Sequence, residues 1–252
     1  MESSSCEAKD VLRGVTQINL EESIGKPPYN KMQLVILEGC HGVGKTSIVK
    51  KLREQGYRVL IEDFDKYLTQ AKKEYPTGDI ESQLYLAQLS YVAHMIFEIL
   101  RAFKDECKVF IMDRFLLTTM IYSTTLSSYV SMDQSPKDEK TPVGDEISFK
   151  RFVPIIRHLS KFCNFSYYII QPLTAGERNQ LDVRIQRLLT QPWRKDLFED
   201  EKCWTDLISL KYETSSQIIL ALLHEENEIS VQRLNMSDNN WKLIHLDCMQ
   251  YL

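Results

Sequence analysis

The feature that most constrains this chain is an octapeptide together with its setting. Gly39-Cys40-His41-Gly42-Val43-Gly44-Lys45-Thr46 fits the pattern G-x-x-x-x-G-K-[ST]. Residues 33–38 (QLVILE), just before it, form a short apolar and β-branched run of the kind that makes a buried parallel strand. Residues 46–55, just after it, put Ile48, Val49 and Leu52 on one helical face with lysines on the other, and Gly56 stops the helix. Between a strand and a helix, such glycines let successive N–H groups turn inward and make an anion nest at the helix N-terminus. Gly39, Cys40, His41, Gly42, Val43, Gly44, Lys45, Thr46 and Ser47 are therefore expected to cradle the phosphates of ATP. Lys45 would reach the β and γ phosphates, and the Thr46 hydroxyl would bind Mg²⁺.

The rest of the chain continues the alternation. Residues 57–62 (YRVLIE) read as a second strand ending in the acidic stretch Glu62-Asp63-Phe64-Asp65, and residues 108–112 (KVFIM) as a third ending on Asp113. Residues 166–171 and 241–246 (WKLIHL) read as further strands, with helical patterns over 80–103, 114–125, 178–189 and 202–226. Alternating strands and helices imply an α/β, three-layer P-loop NTPase fold, a mostly parallel sheet of about five strands with helices on both faces. Residues 131–145 are polar and read as a loop or insertion. Residues 1–30 end in the turn-rich Gly25-Lys26-Pro27-Pro28 and read as a flexible N-terminal extension, leaving 31–252 as the catalytic domain.

Charge and composition narrow the partners. A chain of 252 residues with 43% apolar content can build an ordinary core, and a net charge of −4 argues against a nucleic-acid polymer as partner. Six cysteines without a C-x-x-C pair suggest neither a zinc site nor a disulfide framework. Residues 1–8 are acidic and Ser-rich, unlike a secretory signal, and no apolar run approaches a membrane span, so a cytoplasmic or nuclear protein away from membranes is expected.

Several side chains outside the octapeptide carry chemistry. Asp113 closes an apolar strand one crossover after the phosphate loop, the position from which a carboxylate joins the Mg²⁺ shell, and Arg114 beside it is placed to meet acceptor phosphate or the transferring phosphoryl. Glu62 could take a proton from a hydroxyl acceptor, a role for which Asp63 and Asp65 compete, whereas a phosphate acceptor needs no base. Arg178, Arg184, Arg187, Arg194 and Lys195 concentrate positive charge, and Arg184 and Arg187 share a helix face from which an arginine-rich lid around residues 178–200 could clamp phosphates.

The order of these motifs resembles the thymidylate kinases and, second, their deoxynucleoside kinase relatives. The likeness rests on Leu37-Glu38-Gly39, Asp113-Arg114-Phe115 with Ser123, Arg184-x-x-Arg187 before Asp196-Leu197-Phe198-Glu199, and the aromatic pair Trp204 and Tyr212. It implies ATP as donor, Mg²⁺ as cofactor and a small-molecule nucleoside or nucleotide as partner, with dTMP the first acceptor to consider and a homodimer admissible. The related alternative is phosphorylation of a nucleoside 5′-hydroxyl with Glu62 as base. The chain departs from the thymidylate kinases at His41, where they carry an acidic residue, at Phe115, where they carry tyrosine, and over residues 86–94, which lack their arginine. Gln83 or Gln88 would be the side chains to read a base edge. A reading from another class is a nucleotide-driven switch, ATPase or non-catalytic scaffold; the absence of N-K-x-D after a later strand disfavours a GTPase.

Overall fold

The computed structural model describes residues 31–119, 121, 152–189 and 229–252. Its centre is β1 (Met32–Glu38), whose seven residues are all buried because neighbours flank it on both sides. The Gly-rich turn leads into α1 (Lys45–Glu54), which turns Ile48, Val49 and Leu52 toward the sheet. Then follow β2 (Arg58–Leu60), α2 (Phe64–Glu74), the 25-residue α3 (Ile80–Lys104) and β3 (Val109–Asp113). The described chain resumes with α4 (Val153–Leu159), β4 (Cys163–Ile170), α5 (Ala175–Leu189), β5 (Ile229–Leu234) and α6 (Asn240–Met249).

The sheet has the order β2-β3-β1-β4-β5 and every pairing is parallel. Burial follows that order. The strands β1 and β3 are buried throughout, while the edges β2 and β5 are partly exposed. Each fully buried aliphatic side chain of the centre, such as Leu34, Ile36 or Ile111, contributes about 1.5–3 kcal/mol. The parallel register sets Leu37 beside Asp113 and Glu38 beside Ile169, so the C-terminal ends of β1, β3 and β4 come together. Ligands gather at such ends in open parallel sheets.

Helix α3 owes its start to Asp79, whose side chain accepts from the Ser82 N–H at 2.8 Å. Leu84, Ala87, Gln88, Tyr91, Met95, Ile99 and Ala102 recur at helical spacing along its buried face. Its partner α2 packs there through Tyr67 and Phe64, whose ring centroids lie 5.5 and 6.0 Å from that of Tyr91. No helix among the described residues is long and apolar enough to cross a membrane.

One expected element is corrected. Residues 241–246 belong to α6, not to a strand; Asn240, Ile244 and Cys248 are buried at every fourth position, and Leu243 and Leu246 face outward. The last strand is instead β5, whose alternating burial is masked in the sequence by Ser230, Gln232 and Arg233 on an edge. Helix α2 also went unread, since its acidic start looks like a loop. The expected helix over 202–226 and the loop over 131–145 lie outside the described residues, as does the N-terminal extension.

Candidate active site

The chain leaves β1 through Gly39, at φ 141°, where an added Cβ would stand 2.3 Å from the Ile170 carbonyl oxygen. Only a residue without a side chain lets the loop press so closely on the end of β4. Gly44, at φ 96°, caps α1 and turns the chain into it. Between them Val43 is buried and Gly42 faces α5, where Leu181, Arg184 and Ile185 are its nearest neighbours. Lys45 is buried and curls over its own loop, with Nζ donating to the carbonyls of Gly39 at 2.8 Å and Cys40 at 2.7 Å. Burial, and then the positive charge of Arg114, push its ammonium down to about 8. A phosphate brought into the loop would offset both effects.

Two oxygen-bearing side chains meet at the first turn of α1. The Thr46 hydroxyl donates to Asp113 Oδ2 at 2.5 Å, joining the helix start to the end of β3. The other carboxylate oxygen, Oδ1, is buried without a hydrogen-bond partner among the described residues. A hydroxyl and a carboxylate with a spare buried oxygen are hard ligands and fit Mg²⁺. Thr46 and Ser47 themselves are exposed.

Arg114 follows in a left-handed conformation, φ 74°, which costs a non-glycine residue about 1–2 kcal/mol. Its backbone N–H bonds to the Leu37 carbonyl at 2.9 Å, and its buried guanidinium is held on two sides. Nε lies 3.0 Å from Glu62 Oε2 and Nη1 donates to Oε1 at 3.2 Å, while Nη2 donates to His41 Nδ1 at 3.1 Å. Burial pushes the Glu62 carboxyl above its ordinary value, and Arg114 pulls part of that shift back. Lys45, Thr46, Asp113, Arg114, His41 and Glu62 thus converge at one end of the sheet, although they come from three separate stretches of sequence.

The arginines of α5 are divided. Arg184 is half-buried and its Nη1 donates to the Gly42 carbonyl at 3.3 Å, next to the loop. Arg187 is exposed one turn further on. Arg194 and Lys195, and the lid beyond residue 189, lie outside the described residues. Of the two glutamines, Gln83 donates to the carbonyls of Tyr75 at 2.8 Å and Gly78 at 3.1 Å, so its amide N–H staples the turn between α2 and α3. Gln88 is buried on the face that carries Tyr91.

Glu38, given no role in the sequence reading, ties the site together from beneath. It is wholly buried, its Oε1 accepts from the Phe115 N–H at 2.9 Å, and its Oε2 accepts from the Thr118 hydroxyl. It therefore holds the segment that carries Arg114 against β1. Burial raises its carboxyl to about 7, against the lowering pull of those hydrogen bonds. The visible signal was an acid closing an otherwise apolar strand directly before the glycines.

A family model described as an AAA domain matches residues 34–140, the span holding the glycine loop and Asp113. No curated protein matches the chain. Among solved structures, a deoxyadenosine kinase from M. mycoides with products dCMP and a flexible dCDP bound is similar at 16% identity and TM-score 0.53, over 86% of this chain and 100% of that one. The same kinase with bound dATP gives 15% identity and TM-score 0.51 over the same shares. The strand order, the glycine loop at the head of α1 and this likeness give the chain the fold of the P-loop nucleoside and nucleotide kinases.

Proposed function

We propose that this protein transfers the γ-phosphoryl group of ATP to the 5′-hydroxyl of a nucleoside. The observation that carries the reading is the Glu62–Arg114 pair beside Asp113 at the mouth of the loop. An acceptor already bearing a phosphate would meet a carboxylate there, and the guanidinium it needs is engaged by Glu62 and His41. A hydroxyl acceptor instead needs a base, and a carboxyl raised by burial is a better one.

In the reaction the acceptor oxygen bonds to the γ phosphorus, the bond from that phosphorus to the β-phosphate bridging oxygen breaks, ADP leaves, and the hydroxyl proton passes to Glu62. The loop N–H groups and Lys45 bind the donor phosphates, Arg184 beside the loop offsets charge on the phosphoryl oxygens, and Arg114 holds Glu62 in place. Thr46 and Asp113 would hold Mg²⁺, which supplies charge neutralisation on the phosphates when bound.

A nucleoside monophosphate acceptor, dTMP first, is the second reading, favoured by the Asp113-Arg114 order. ADP release from Mg-ATP against a panel of deoxynucleosides and their monophosphates, with product mass determined, separates the two. A nucleoside product supports the reading, and turnover restricted to monophosphates replaces it. Binding of ATP without phosphorylation of any acceptor moves the account to a switch or scaffold.

A further inference from the structure

Tyr91 presents an oxygen that none of the described residues engages. It lies on the buried face of α3 at 3% exposure, and its hydroxyl has no hydrogen-bond partner among the described residues. An unpaired buried hydroxyl costs roughly 1–3 kcal/mol, and a phenylalanine would fill the same space without that cost. The ring is held by α2, edge-on to Phe64 at 6.0 Å and tilted against Tyr67 at 5.5 Å. Phe64 is only two residues beyond Glu62, so Tyr91 packs on the segment that presents the Glu62 carboxylate. Burial pushes the phenol well above its usual value; of the charges acting on it Glu62 is the strongest, followed by Arg114 and Asp113. The hydroxyl therefore remains a neutral donor.

We infer that Tyr91 is a further acceptor-contacting residue, whose Oη donates a hydrogen bond to an oxygen of the bound nucleoside at the Glu62 end of the site. The inference rests on the nucleoside kinase reading. It explains why a buried phenol has no partner among the described residues: its partner arrives with the substrate, and the bond then forms where water is excluded.

The test compares wild type with Tyr91→Phe, using calorimetric titration of the common deoxynucleosides and their monophosphates together with steady-state kinetics. The expected result is an acceptor Kd and KM weakened about tenfold, an unchanged KM for ATP, and a melting temperature equal to or above that of wild type. An unchanged acceptor Kd overturns the inference, as does a lowered melting temperature with both substrates weakened alike, which is the mark of a structural role. Wild-type binding without turnover defeats the kinase reading but leaves the Tyr91 comparison decisive through Kd. If wild type binds no member of the panel, both ideas fall.

Discussion

Arg114 meets Glu62 edge to edge, with Nε 3.0 Å from Oε2 and Nη1 3.2 Å from Oε1, and so fixes the carboxylate in place. If that carboxylate is the base, Glu62→Gln should lower kcat with a nucleoside about 10²–10⁴-fold. With a monophosphate the loss should stay below about tenfold, since no proton needs to be removed. The wild-type rate should also fall as pH drops through a pKa raised above the ordinary carboxylate value, and this acid limb should vanish in the variant. Equal losses on both acceptors would remove the base role.

Lys45 is drawn back onto the carbonyls of Gly39 and Cys40. Saturation with ATP at about 100 times Kd should stabilise the wild-type protein by roughly 2.7 kcal/mol, about 5–10 °C in Tm. Lys45→Met should keep its far-ultraviolet spectrum, show little of that shift and lack phosphoryl transfer. Wild-type turnover in the variant would sink the assignment of the phosphate loop.

Glu38 links stability to pH. Its carboxyl is raised to about 7 from 4.5, so between these values the folded state binds a proton that the unfolded state has lost. Stability should therefore be highest below pH 4.5 as far as this group is concerned, fall by about 1.4 kcal/mol per pH unit as pH rises toward 7, and level off above it. Thermal melts of wild type and Glu38→Gln across pH 4.5–8 isolate the effect as a difference. Parallel curves would show that Glu38 carries no such linkage.

Gly39 and Gly44 both have positive φ but different surroundings. An alanine Cβ at Gly39 meets the Ile170 oxygen at 2.3 Å, whereas at Gly44 the nearest atom is Arg184 Nη1 at 3.8 Å. Denaturant titration should give a loss of about 1–2 kcal/mol for Gly44→Ala, the backbone cost alone, and roughly 3 kcal/mol or more for Gly39→Ala. Similar losses would mean that the close approach to β4 is not what requires glycine.

By itself the sequence determined the strand, loop and helix around Gly39 and Lys45, the strand ending on Asp113, and the alternating class of fold. These are local matters, because apolar runs, glycine positions and helical periodicity act over a few residues. Its limits were local too. An edge strand such as β5 buries only part of its surface, so its polar residues hid it, and the apolar residues of 241–246 looked like a strand until the fold showed which of them touch the core. Only the tertiary structure decided the order β2-β3-β1-β4-β5 and hence which side chains meet. Glu62, Arg114 and His41 are far apart in the chain, and their mutual hold depends on parallel strands ending at one edge. The burial that raises Glu38 and leaves the Tyr91 hydroxyl without a hydrogen-bond partner among the described residues is likewise a property of packing, since desolvation comes from neighbours that no single stretch of sequence contains.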